Sequence, residues 1–335
     1  MSVKSRPRLF FRTALLAALL ALVSVVFSAY VRLSEAALGC PDGPACAARA
    51  LAPAAAQSPR SGAIANQRAW KDTLARYIAG TLGLLLVRLA VLGWQLRRRP
   101  GQQVLIPLAT LVLVFSLTVI GIVTIDLQAK PLVMMIQFLG NLLVLALLWW
   151  IVLREQRLFR SVAPTALTRR LRRRAFAAMI IGLLAITLGG WSMVNHAALA
   201  CPDFPTCQGS YWPNVDFAEG LLRWTFEGLG YDRTELDLSA AAAIHVAHRA
   251  AALIAVLYLG WFSLHLLRVG IQDAVCRYGL LLLVMLSFAV AFGIMESVGG
   301  LPLLLAVTHN AVAALLLLTL VTVYHVLRAP PRAKQ

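Results

Sequence analysis

The sequence predicts an all-α integral membrane protein of about eight transmembrane helices, arranged as two tandem four-helix bundles. The first observation is composition: 60% of the 335 residues are hydrophobic, 13% are charged, and the mean hydropathy is +0.77. A soluble domain of this length has many more polar residues to cover its surface. The second observation is a series of apolar runs of about 20 residues, each long enough to cross about 30 Å of hydrocarbon. The third is an internal repeat.

The apolar runs predict the spanning helices one by one. In chain order they cover 12–31, 72–94, 103–125, 131–153, 175–195, 240–266, 278–297 and 302–327. The first run resembles a secretory signal, because it follows a basic start. It is, however, the counterpart of the fifth run, which is internal and cannot be a signal. We therefore expect the first run to remain in the mature protein as a spanning helix.

The repeat lies just after the first and fifth apolar runs. Residues 36–46 read A-A-L-G-C-P-D-G-P-A-C, and residues 197–207 read A-A-L-A-C-P-D-F-P-T-C. Each copy follows one apolar run and precedes three more, as expected of a duplicated four-helix unit. We predict a first unit at 1–155, a basic linker at 156–174 and a second unit at 175–335.

The formal net charge of +17 reflects membrane topology. Lys and Arg cluster in alternate connections, for example at 97–99, 154–160 and 169–174. Because cytoplasmic loops carry an excess of these residues, we predict that both termini are cytoplasmic. The cysteine-containing loops would then lie on the outer face of a bacterial-type inner membrane. Topology explains the charge without a nucleic-acid partner, so the expected partner is the lipid bilayer.

Each copy of the repeated motif contains two cysteines separated by a turn-forming Pro-Asp pair. Such a turn can bring two cysteines within disulfide distance, and an outer-face loop meets an oxidising compartment. We predict the disulfides Cys40–Cys46 and Cys201–Cys207. Either bridge acts as a loop staple or exchanges electrons with a partner. A four-thiolate zinc site shared between the two loops is a further alternative.

Two histidines lie at a common depth in the sixth and eighth runs. His248 and His309 are about eight and seven residues inside their runs, roughly 10–12 Å below the outer interface. Two imidazoles at one depth on different helices suit a bis-histidine haem. A hydrogen-bonded pair of packing histidines is the alternative. Arg249 suits either haem propionates or the lipid headgroups, and His245, one turn before His248, suits either the haem surroundings or the interface.

The first half lacks this histidine pair. The repeat register sets Ala75 against His248 and, with a one-residue slip, Gln137 against His309. Ala75 has no ligand atom, and Gln137 is a poor iron ligand. A haem in the first half therefore cannot be held as in the second.

Several motifs resemble the heme A synthase family almost from end to end. They are R-L-S-E-A-A-L-G-C-P-D at 32–42, A-W-K-D-T-L-A-R-Y-I-A-G-T-L-G at 69–83, L-G-G-W-S-M-V-N-H-A-A-L-A-C-P-D-F-P-T-C-Q-G at 188–209, I-H-V-A-H-R at 244–249 and T-H-N-A at 308–311. The resemblance implies that the second unit binds a haem b through His248 and His309. It implies that the first unit receives haem O and oxidises one methyl group to the formyl group of haem A. It also implies haem O synthase and terminal oxidase assembly factors as partners, and it leaves a homo-oligomer open.

The chain departs from that family in its first half. Members usually carry Glu-x-x-His-Arg in the second helix and a further histidine in the fourth. Here the corresponding residues are Asp72, Ala75, Arg76 and Gln137. The carboxylate and the arginine persist in kind, which makes Asp72 the candidate catalytic residue and Arg76 a candidate propionate contact. Both positions also suit a membrane interface.

Three functions are compatible with these sequence features. The leading one is a heme A synthase-type membrane oxidoreductase that contains haem b and acts on haem O. The alternative is a catalytically inactive single-haem paralogue that carries haem, transfers electrons or regulates a true synthase. The third is a small-molecule transporter, which is disfavoured because the apolar runs lack paired breaks and contain few charges at the membrane midplane.

Overall fold

The computed structural model describes residues 6–38, 61–98, 104–123, 130–155, 165–228, 236–269 and 273–328. Its α-helices are α1 Arg6–Leu38, α2 Ser61–Gln95, α3 Leu105–Val123, α4 Pro131–Glu155, α5 Ala166–Val194, α6 Phe217–Glu227, α7 Leu238–Val269, α8 Asp273–Val298 and α9 Leu303–Val326. A short 3-10 turn, Ala197–Ala200, follows α5. Within the described ranges, eight helices are long and apolar enough to span a membrane, and α6 is not among them. The predicted all-α class with eight spans is confirmed.

Helix α5 begins earlier than hydropathy predicts. The apolar run begins at 175, whereas the helix begins at Ala166. Thr165 and Thr168 form a reciprocal capping box, in which the Thr165 N–H donates to the Thr168 hydroxyl at 2.8 Å and the Thr168 N–H donates to the Thr165 hydroxyl at 3.1 Å. Such a cap satisfies N–H groups that a helix start leaves unpaired. The arginines of 169–174 therefore lie on the first turns of α5.

The spanning helices contact one another in two rings. Helices α1, α2, α3 and α4 form one ring, and α5, α7, α8 and α9 form the other. The rings meet where α1 and α4 pack on α9 and where α4 packs on α5. A Cβ added at Gly190 of α5 would lie 2.6 Å from the Phe138 ring of α4, so this close crossing depends on glycine. The contact pattern is consistent with two tandem units, and the predicted unit boundaries stay a prediction.

Helix α6 lies across one end of the second unit, the end that carries Cys201 and Cys207 and is called here the Cys end. Asp216 caps α6 by accepting the Glu219 N–H at 2.9 Å. A Cβ at Gly220 would lie 2.5 Å from the carbonyl oxygen of Ala240, so α6 approaches α7 at a glycine. The opposite end, where the Arg-rich segments lie, is called the basic end.

Candidate haem site

The two predicted haem ligands lie on different helices of the second unit and have matching surroundings. His248 is on α7 and His309 is on α9. A Cβ at Gly189 of α5 would lie 2.8 Å from Cε1 of His248, and a Cβ at Gly293 of α8 would lie 3.0 Å from Cε1 of His309. Each imidazole therefore packs in a slot that a glycine on the neighbouring helix leaves open.

Both imidazoles keep one nitrogen without a partner. Nδ1 of His248 and Nδ1 of His309 are buried and make no hydrogen bond, although a buried unpaired polar atom costs about 1–3 kcal/mol. Iron ligation through one ring nitrogen and a hydrogen bond through the other is the usual arrangement of a ligating histidine.

This donor set fits a haem better than a bare metal ion. Within the described ranges, no group of three or more His, Cys, Asp or Glu side chains could hold an ion. A haem iron takes four nitrogens from its porphyrin and needs only two imidazoles from the protein. The residues present fit a bis-histidine haem, and the assignment itself stays a prediction.

His245 lies beside His248, one turn earlier on α7. Its ring centroid is 6.2 Å from that of His248, and its Nδ1 lies 3.2 Å from the Ser192 hydroxyl of α5. The residue is only 5% exposed, and its Nε2 has no hydrogen-bond partner. His245 is therefore part of the buried surroundings of the histidine pair, and its predicted supporting role remains untested.

The disulfide loop, residues 201–207, is closed by the bridge between Cys201 and Cys207. This confirms the second predicted disulfide, and it leaves no thiolate in this loop for a zinc ion. The two cysteines are 1% and 3% exposed. Because a partner cannot reach buried sulfur atoms, the structure favours the staple over electron exchange for this loop. The predicted Cys40–Cys46 bridge lies outside the described residues.

Asp203 holds the turn of the disulfide loop. Its carboxylate accepts hydrogen bonds from the Thr206 hydroxyl and from the backbone N–H groups of Gln208, at 2.7 Å, and Gly209, at 3.0 Å. The bond from Thr206, supported by the backbone N–H groups, lowers the pKa of Asp203 below its usual value. The charged form of Asp203 therefore stabilises the turn.

Arg249 ties the disulfide loop to α7. Its guanidinium donates to the backbone carbonyls of Thr206 and Asp203, both at 2.7 Å, and of Cys201 at 3.2 Å. Its Nε is buried and has no hydrogen-bond partner, so the Nε–H is left for a further acceptor. The predicted propionate contact stays a prediction. The sequence did not predict that Arg249 would connect the disulfide loop to α7.

Of the candidate residues in the first unit, Gln137 is packed against a neighbouring helix and Ala75 and Arg76 are not. Ala75 and Arg76 lie on exposed positions of α2, and the side chain of Asp72 lies outside the described residues. Gln137 packs as His309 does: a Cβ at Gly121 of α3 would lie 3.4 Å from its Nε2. Gln137 also follows Gly121 at the chain spacing with which His309 follows its glycine. The first unit therefore keeps the glycine slot and has an amide where the second unit has an imidazole.

Two cations near the Cys end of the first unit were not singled out from the sequence. Arg32 on α1 donates to the backbone carbonyl and hydroxyl of Ser28 and lies 5.7 Å from the ring centroid of Phe138 on α4. Lys71 on α2 is 3% exposed and donates to the Ser34 hydroxyl at 2.7 Å. Both lie just outside an apolar run, where a cation ordinarily reaches the membrane interface, so the sequence contains no signal that singles them out.

The described features of the basic end contain no candidate site residue. Arg174 lies 2.7 Å from Nε2 of His265, and the Trp150 ring meets the His325 ring edge-on at 5.0 Å. A cavity of about 330 Å³ opens beside Trp94, between α2 and α3. None of these features touches His248, His309 or their glycine slots.

Comparisons with known proteins extend over both units. The COX15-CtaA family model, described as cytochrome oxidase assembly protein, matches residues 11–321. The chain is 35% identical over 315 residues to a protein of Shewanella oneidensis named heme A synthase. That alignment covers 91% of this chain and 93% of the relative.

Proposed function

The chain belongs to the COX15-CtaA family of cytochrome oxidase assembly proteins, and we propose on this premise that it is a membrane oxidoreductase of haem A biosynthesis. In the proposed reaction, a methyl group of haem O and one water molecule give the formyl group of haem A for cytochrome oxidase. The four electrons and four protons released pass to an electron acceptor and to solvent. The second unit holds a haem b between His248 and His309, and the first unit receives haem O. The observation that carries the proposal is the pair of imidazoles in glycine slots, each with an unpartnered Nδ1.

The second unit is built to keep one haem in a fixed orientation. A haem held by His248 and His309 would supply one-electron transfer. Gly189 and Gly293 set the position of the two rings by allowing them to pack against α5 and α8. Arg249 ties the disulfide loop to the Cys end of α7. Ordered surroundings of this kind keep the reorganisation of a redox site small.

The first unit offers an exposed stretch of α2 between two buried positions. Ala75 shares a face of α2 with Lys71 and Leu82, which are buried, yet Ala75 itself is exposed. Side chains at such spacings line one side of a helix. We infer that haem O lies against this face, since oxidation of one methyl group requires the substrate to be held in a single orientation. Asp72 is the proposed catalytic carboxylate and Arg76 a proposed propionate contact.

A second candidate function is favoured by the missing ligands of the first unit. Neither Ala75 nor Gln137 can replace an imidazole as an iron ligand. A single-haem paralogue that carries haem, transfers electrons or regulates a synthase would need only the second unit. This candidate predicts haem b binding without haem A formation.

The decisive experiment is expression in cells that make haem O but lack their own synthase. We expect haem A in the extracted pigments, measured by chromatography, and none from a His248→Ala, His309→Ala double variant. Haem O alone from the wild-type chain would reject the enzyme and favour the single-haem paralogue. That conclusion would be strengthened if Ala75→His together with Gln137→His then produced haem A.

A further inference from the structure

Helix α6 presents an exposed apolar stripe on the side that faces away from the bundle. Ala218, Leu222 and Phe226 follow one another at intervals of four residues, so they lie along one side of the helix. Ala218 is exposed, Leu222 is 54% exposed and Phe226 is 87% exposed. Gly220, which meets α7, lies roughly on the opposite side of the helix. Ala218, Leu222 and Phe226 are called here the α6 stripe.

Helix α6 lies beside the Cys ends of two spanning helices and not beyond them. The Trp191 indole N–H of α5 donates to the Gly220 carbonyl at 3.1 Å. A Cβ at Gly220 would lie 2.5 Å from the Ala240 carbonyl oxygen and 3.1 Å from Cγ1 of Ile244, both on α7. The three contact residues belong to apolar runs that cross the membrane, and each is no more than about four residues, or roughly 6 Å, inside its run. The level of α6 is therefore the boundary between hydrocarbon and headgroups.

The charged side chains of α6 form a separate row and pair with one another. Arg223 donates to Glu219 at 2.9 Å and to Glu227 at 2.6 Å. Many interfacial helices are attracted to anionic lipid by cations on their polar face. Here the one cation of the row is held between two carboxylates, so no such attraction is expected. Apolar contact is the interaction that the α6 stripe itself can offer.

Large aromatic side chains are exposed in the segment just before α6. Trp212 is 92% exposed and Tyr211 is 74% exposed. Rings that combine an apolar body with a polar group are enriched where a membrane meets water. Exposed Trp, Tyr, Leu and Phe side chains within one short segment suit contact with lipid better than contact with water.

We propose that α6 is an interfacial membrane helix whose stripe is inserted into the lipid leaflet at the Cys end. The bundle holds one side of α6, lipid holds the stripe, and the paired charges remain at the polar surface. Lipid contact thereby adds a second attachment that keeps α6 against α5 and α7. The proposal goes beyond the proposed function, because it depends neither on haem binding nor on haem A formation.

Photocrosslinking of the full chain tests which molecule the stripe contacts. The photoreactive amino acid p-benzoylphenylalanine, which inserts into nearby C–H bonds, is placed at position 222 or 226, and the chain is reconstituted in nanodiscs of phosphatidylcholine. After illumination, we expect the intact mass to increase by one phospholipid at both positions. Nanodiscs of phosphatidylglycerol should give the same adducts, since the contact is apolar.

The matched crosslinking control lies on the charged row of the same helix. The same photoreactive residue at Glu227 should give little lipid adduct, because that row faces the polar side. Lipid adducts of equal yield at 222, 226 and 227 would overturn the proposal, since the helix would then have no defined lipid-facing side.

Amide hydrogen exchange provides a second measurement without a photoreactive group. In nanodiscs, the double variant Leu222→Gln, Phe226→Gln should exchange the amides of 217–227 faster than the wild-type chain by at least about tenfold, the equilibrium effect of exposing one large apolar side chain. Glu227→Gln is the control and should exchange at close to the wild-type rate, because an exposed ion pair contributes little.

The alternative occupant of the stripe is a second protein, and it gives a different result. If crosslinking in native membranes joins positions 222 and 226 to another polypeptide and not to lipid, the stripe is a protein interface and the proposal fails. An absence of adducts in nanodiscs together with unchanged exchange in the double variant would place the stripe in water and also overturn it. Each of these results is independent of whether the chain makes haem A.

Discussion

The two four-helix units differ most in how each could hold a porphyrin. The second unit has His248 and His309 in glycine slots, and the first has Gln137 in a corresponding slot and cations at Arg32 and Lys71. In the proposed mechanism, the second unit keeps a resident cofactor by two coordinate bonds to iron. In the same proposal, the first unit has no imidazole at these positions and receives a substrate that leaves as product. Under this proposal, one scaffold supports a permanent site and an exchangeable site with different side chains at few positions.

The largest predicted effect is loss of the haem from the second unit. We expect His248→Ala or His309→Ala to abolish a low-spin b-type absorption spectrum, because each change removes one axial ligand of the iron. The measurement is the visible spectrum of the purified, reduced protein. Gln137→Ala, the corresponding change in the first unit, should leave the spectrum intact. A wild-type chain that is colourless when purified from haem-replete cells would refute the haem assignment.

A smaller effect is expected when a glycine slot is filled. Gly189→Ala places a Cβ 2.8 Å from the His248 ring, and Gly293→Ala places one 3.0 Å from the His309 ring. Overpacking of this kind costs about 1–3 kcal/mol, so haem affinity should fall roughly tenfold or more. Haem content per protein measures it. Gly260→Ala is the control, because its Cβ would meet its nearest neighbour at 3.8 Å. Full haem content in both slot variants would show that the slots do not position the ligands.

The smallest effect concerns the loop that covers the second unit. We expect Arg249→Gln to speed reduction of the buried Cys201–Cys207 disulfide by about tenfold, because three hydrogen bonds to the loop are lost. Arg249→Lys should not restore protection, since an ammonium group cannot form the same fork. Arg223→Gln on α6 is a control that removes ion pairs without touching the disulfide loop. Trapping of free thiols with time measures the rate, and an unchanged rate would remove Arg249 as the tie.

Part of the candidate site was predictable because it depends on chemistry carried by single residues. Imidazoles at equal depth in two apolar runs single out His248 and His309 without knowledge of how the helices pack. The second disulfide follows from two cysteines around a turn, and the structure contains it. The role of Arg249 was not predictable, because its three carbonyl partners lie on a separate loop and face it only after α7 and that loop have packed together.

The sequence by itself determined the all-α class and the eight spans, because the free energy of crossing a bilayer is nearly a sum over consecutive residues. It did not determine the start of α5, where hydrogen bonds between Thr165 and Thr168 extend the helix beyond the apolar run. Only the tertiary structure decided which glycines admit the two imidazoles and which hydroxyl meets Lys71. Those choices depend on distances between helices far apart in the chain, and such distances are set by packing rather than by local composition.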